Sequence, residues 1–131
     1  MRGLRRLLHE LTVTGVAAAR YAALEAREKL RQLYATIEAF QAKLTKAKAA
    51  QATAFATLAP LQARLVALRK ANPGEQSAAA ETLALEITAA EMAYNFATGH
   101  VNDCRTAIKL NFEQLNRVQS QMDDIKGALR A

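Results

Sequence analysis

The side chains with the widest chemical reach stand together in the second half of the chain. His100 and Cys104 lie four residues apart, with Asp103 beside them. On a helix that spacing puts an imidazole and a thiol on one face, the start of a site for zinc or a similar cation. A structural zinc site needs four protein ligands and a catalytic one needs three. His9 is the only other histidine, Cys104 is the only cysteine, and no second ligand pair accompanies the first. Cys104 also falls on an apolar seam, where a cysteine serves as a small hydrophobe. No metal ligand is therefore assigned. Glycine-rich phosphate loops, HExxH, nucleophile elbows and paired carboxylates are also missing. The chain is expected to be non-enzymatic, with no catalytic residue, no cofactor and no small-molecule substrate.

The elements that carry these residues follow from composition and periodicity. The 131 residues suit one domain, and a lone cysteine excludes an internal disulfide and suggests a reducing compartment. Five glycines, two prolines, no tryptophan and an aromatic share of 5% favour helices packed along narrow seams over a wide core. The expected class is all-α.

Asn72-Pro73-Gly74 is the clearest break, because proline removes a donor and restrains the residue before it while glycine accepts the turn. Ser77 or Glu75 is positioned to start a second helix. On either side runs a heptad pattern. Before the turn it comprises Leu30, Leu33, Ile37, Phe40, Leu44, Ala47, Gln51, Ala54, Leu58, Leu61, Leu65 and Leu68. After it come Leu83, Ile87, Ala90, Tyr94, Ala97, Val101, Cys104, Ile108, Asn111, Leu115, Val118, Met122, Ile125 and Leu129. Strict alternation of three- and four-residue steps over this length is a coiled-coil signature. Folding the chain back about the turn sets Leu58 against Ala90, Ala54 against Tyr94, Ala47 against Val101 and Ala26 against Met122. Small faces large. The pattern predicts a long antiparallel helical hairpin with arms 16–71 and 76–130 and a turn at 72–75, forming a domain over 16–131. An alternative follows from Pro60 and Gly99: breaks at both would fold the hairpin into a short bundle.

Residues 1–15 behave as a separate basic amphipathic helix. Leu4, Leu7, Leu8 and Leu11 form a stripe out of phase with the seam, flanked by Arg2, Arg5 and Arg6, and Thr12-Val13-Thr14-Gly15 offers a joint. The leucines are candidates for docking on a partner, on a neighbouring copy or on a membrane surface. The segment resembles a signal region at its start, but Glu10 interrupts the apolar stretch, so no cleaved leader is expected. No run reaches the length needed to cross a bilayer, and the expected location is the cytoplasm or the interior of an assembled particle.

Charge is uneven. Met1 to Asn72 holds thirteen Lys and Arg against four acids, while the remainder holds five against eight, giving +6 overall. Arg2, Arg5, Arg6, Arg20, Arg27, Arg31, Lys43, Lys46 and Lys48 are candidates for phosphate contacts. With no interleaved aromatics for base stacking, such binding would be backbone-driven and sequence-independent. Apolar residues off the seam suggest another use of the surface. Tyr34 and Phe112 flank the seam and are placed to touch each other; Phe55, Val66, Leu85, Met92 and Leu110 are hard to cover with two helices. Tyr34, Phe55 and Phe112 are taken as an assembly surface. The leading expectation is a structural subunit that packs into a homo-oligomer, filament or larger complex. The alternatives are a nucleic-acid-coating protein and a membrane-surface coat or adaptor.

Overall fold

The computed structural model describes residues 2–74 and 77–130, and the side chains within them from Gly15 onward. Two α-helices, α1 (Arg2–Ala71) and α2 (Ala78–Arg130), account for nearly all of the chain. The fold is all-helical, and among the described residues no helix is long and apolar enough to cross a membrane.

The helix ends obey local chemistry. Asn72 donates its backbone amide to the Leu68 carbonyl at 3.1 Å, completing the last turn of α1. Arg69 and Lys70 sit in that turn, where cations suit the partial negative charge of a helix C-terminus. Gly74 comes next with φ of 81°, a conformation that strains any side-chain-bearing residue. Ser77 then caps α2: its hydroxyl accepts from the Ala80 amide at 3.1 Å, and its carbonyl accepts from Glu81. α2 thus begins at Ala78, two residues later than the arm expected from 76, while Glu75, the other candidate start, lies outside the described residues.

The joint expected at residues 12–15 does not occur, nor do the two breaks of the alternative bundle. α1 runs unbroken through Thr12–Gly15, so the segment 1–15 is helically continuous with the chain from Val16 onward. It also runs through Pro60, and α2 runs through Gly99, so the breaks required for a short bundle are missing. Pro60 is exposed, which lets water satisfy the carbonyl left without a donor one turn earlier. Threonines are also accommodated within the helices. Thr36, Thr45, Thr53, Thr57, Thr82 and Thr88 each donate their hydroxyl to the carbonyl four residues back.

The residues form two compact units. The first comprises Met1–Ala39 and Ile108–Ala131, the second Phe40–Ala107. In the first, Ala26, Leu30, Leu33 and Ile37 of α1 pack with Leu115, Val118 and Met122 of α2. In the second, Leu58 packs with Leu83, Ile87 and Ala90, flanked by Leu61, Leu65, Leu68 and Tyr94. Farther along the same unit, Gln51 donates to the Thr98 hydroxyl at 3.0 Å and the Phe55 ring meets Tyr94 at 6.0 Å between centroids. Within this unit, ascending numbers on α1 meet descending numbers on α2. Alanines set the closeness: Ala47, Ala90 and Ala97 are buried, and Val101 and Cys104 are only 2% exposed. Among the described residues no buried side-chain polar atom lacks a partner.

Stability should reflect this partition. Ile37→Ala is expected to destabilise the chain by about 2–5 kcal/mol, since it empties a buried site. Gly99→Ala, with no atom within 4 Å of the added carbon, should stabilise by roughly 0.5–1 kcal/mol. Urea unfolding monitored by circular dichroism at 222 nm would measure both. An Ile37→Ala midpoint equal to that of the parent would contradict the packing described.

Candidate assembly surface

His100 and Cys104, the pair weighed as metal ligands and not assigned, differ in burial. Cys104 is a free, buried cysteine in the second unit. His100 is exposed and lines a groove on the surface of that unit. The thiol is thus packed with the seam while the imidazole faces solvent, and among the described residues no three metal-ligating side chains gather. The position reads as packing.

The groove itself is strongly apolar. It has a volume of about 510 Å³ and is lined by Ala47, Ala50, Ala54, Ala90, Ala93 and Ala97 together with Phe96 and His100. Thr53 and Thr57 also line it, but their hydroxyls are turned back onto carbonyls of α1. Apart from His100, the side chains lining this furrow carry no titratable group.

Large apolar side chains stand exposed on α2. Phe96 is 80% exposed, Leu85 73% and Met92 68%. With Ala89 they step by four, three and four residues along α2, which places them on one face, distinct from Ile87, Ala90 and Ala97. Phe96 was not singled out by the seam pattern, yet it is the most exposed large hydrophobe among the described residues. The signal that would have found it is a second periodic run, Leu85-Ala89-Met92-Phe96, offset from the first.

Of the residues expected to form an assembly surface, Tyr34, Phe55 and Phe112 are all exposed. Tyr34 and Phe112 belong to the first unit and Phe55 to the second. The aromatic pair that forms is Phe55–Tyr94, tilted by 52°, and not the expected Tyr34–Phe112 pair. The leucines at positions 4, 7, 8 and 11 and the arginines at 2, 5 and 6 lie outside the residues whose side chains are described.

The remaining candidate cations are exposed. Arg31 binds Glu28 through two hydrogen bonds, one of them from Nε at 3.0 Å. That bond depresses the Glu28 carboxyl and raises the Arg31 guanidinium, each mainly through the shared hydrogen bond. Lys43 lies 5.2 Å from the centre of the Phe40 ring, within reach of a cation–π attraction. Arg20 and Arg27 share a groove of the first unit with Leu24, Met122, Lys126 and Leu129, so three cations meet there with no acid in the lining. Glu28–Arg31 is the ion pair formed among the described residues; none joins α1 to α2.

No protein-family model matches this chain, and a comparison with curated proteins finds no relative.

Burial of Cys104 has a direct readout. In the native protein the thiol should resist Ellman's reagent and react fully once urea unfolds the chain. Labelling of the folded protein at the rate of a free thiol would contradict its placement among the buried residues.

Proposed function

We propose that the chain is a non-enzymatic structural subunit, an antiparallel helical hairpin that packs against copies of itself to build a larger assembly. The observation that carries this reading is the row of Leu85, Met92 and Phe96, three large apolar side chains exposed on one helix face beyond the seam. Soluble monomers rarely leave such side chains grouped in the open, and a contiguous apolar patch marks a contact surface. The separation of roles on α2 supports the same conclusion. One face, Leu83, Ile87, Ala90, Ala97, Val101 and Cys104, is buried against its own chain. Another is apolar and uncovered, so α2 has more greasy surface than α1 can cover.

Light scattering on the purified protein tests it. At about 10 µM, the range in which micromolar affinities become visible, the particle mass should exceed the 14.3 kDa of one chain and rise with concentration. A sharp monomer at every concentration, still fully helical, would sink the reading.

A second reading rests on a separate observation, the meeting of Arg20, Arg27 and Lys126 around one groove without an acid among its lining residues. A cationic furrow of this kind suits the phosphate backbone of a nucleic acid, bound without sequence preference. Binding of that type weakens steeply as counterions compete. The protein should then be retained on a duplex-DNA column at low salt and released as salt is raised. Passage through the column unretained at 50 mM NaCl would remove this reading.

A further inference from the structure

The second unit carries two exposed stripes that are opposites in shape and in charge. On α2 the stripe is bulky: Leu85, Ala89, Met92 and Phe96, with Glu81 four residues before it and Asp103 seven residues after it. From Ser77 to Cys104 there are four acids and no lysine or arginine. On α1 the corresponding outward run is small: Ala49, Thr53, Ala56 and Pro60, with Lys46 three residues before it and Arg64 four residues after it. From Phe40 to Ala71 there are six lysines and arginines and no acid. Every residue named in either stripe, and each of the four flanking charges, is exposed.

These charges are not consumed within the chain, since among the described residues no ion pair joins α1 to α2. The dimensions also agree. Lys46 and Arg64 are eighteen residues apart, about 27 Å along a helix, and Glu81 and Asp103 are twenty-two apart, about 33 Å. Flexible lysine and arginine side chains reach across a difference of that size. Between the charges, alanines and a threonine whose hydroxyl is bonded to the Ala49 carbonyl offer a shallow face on which large side chains can settle.

We infer that the occupant of each stripe is a second copy of this chain: the bulky, acid-ended stripe of α2 in one copy seats on the small, base-ended stripe of α1 in the next. This deepens the self-assembly reading above and rests on it. A contact of this kind gives a ring or an open filament where it passes from copy to copy, and a closed dimer where two copies return it to each other; the particle mass distinguishes the two. Opposite charges at the two ends of the contact fix which way the copies lie, and salt weakens them.

A charge-swap experiment tests the pairing. One variant carries Glu81→Lys and Asp103→Lys; the other carries Lys46→Glu and Arg64→Glu. Each retains one natural stripe and reverses its complement. Circular dichroism first establishes that both are as helical as the parent; should either not be, Phe96→Ser, at a position 80% exposed, replaces it and is expected to lower the particle mass to that of one chain. Alone, each swapped variant should be monomeric by light scattering under conditions where the parent assembles. Mixed in equal amounts, the two should recover the parent's particle mass, and the parent's own mass should fall as NaCl rises from 50 mM to 500 mM. If both variants assemble as the parent does, or if the mixture stays monomeric, the pairing of stripes is overturned while self-assembly stands. If the parent itself is a monomer at every concentration, self-assembly falls and the pairing with it. Particles that form only after a DNA duplex is added overturn the inference in favour of the cationic reading.

Discussion

The close approach of two helices along an alanine-containing seam is the interaction on which the rest depends. Ala47, Ala90 and Ala97 are buried beside Leu58, Ile87 and Val101, so small and large side chains alternate where the helices touch. That alternation keeps the interior packed without the aromatic bulk of a globular core, which this composition does not provide. It also determines what is left over. A seam one side chain wide cannot absorb every apolar residue on a 53-residue helix, and α2 carries more than one face of them. Exposed hydrophobes at Leu85, Met92 and Phe96 are thus a consequence of building with two helices.

Much of this was legible in the residues. Each of the buried residues, from Ala26 to Met122, lies on the heptad positions read from the sequence or on their backward extension. The reason is physical: burial on a helix recurs every three or four residues, and only those positions can be apolar without cost elsewhere. Gln51 shows the rule holding at a polar position, since it is half-buried on the seam and finds Thr98 as its partner. Turn chemistry was equally readable at Gly74, and Ser77 became a cap as its hydroxyl allows.

The joint read at residues 12–15 and the breaks of the alternative bundle are the readings the structure does not bear out. Pro60, Gly99 and the Thr12–Gly15 segment each carry a local penalty for helix, and none interrupts one. Local propensity is a weak term beside packing that continues on both sides of the fault. Around Pro60, Leu58 and Leu61 are both held against α2 residues, so a break there would strip contacts worth more than the one hydrogen bond lost. Phe96 was missed for a different reason. Leu85 and Met92 stand out singly as apolar residues off the seam, and the face they share with Phe96 emerges only when the three are set together at their three- and four-residue steps.

The same ordering of effects bears on the proposed self-assembly, in which the distribution of charge would matter more than any single residue. In the second unit the charges are largely sorted by helix: α1 carries lysines and arginines and no acid, while α2 carries four acids and a single base, Arg105. Sorting of this kind contributes little to the stability of one chain, because exposed pairs in water are worth about 0–1 kcal/mol and none is formed between the helices among the described residues. Its effect is larger between molecules. Two surfaces of opposite sign attract before contact and repel a wrongly turned neighbour, so the cost of mismatch exceeds the gain of any one pair. A helix pair held by a neutral, tightly packed seam can leave its charges unpaired inside the chain. Unpaired and sorted, they are available to decide what the exposed stripe of α2 meets, and in which direction it lies.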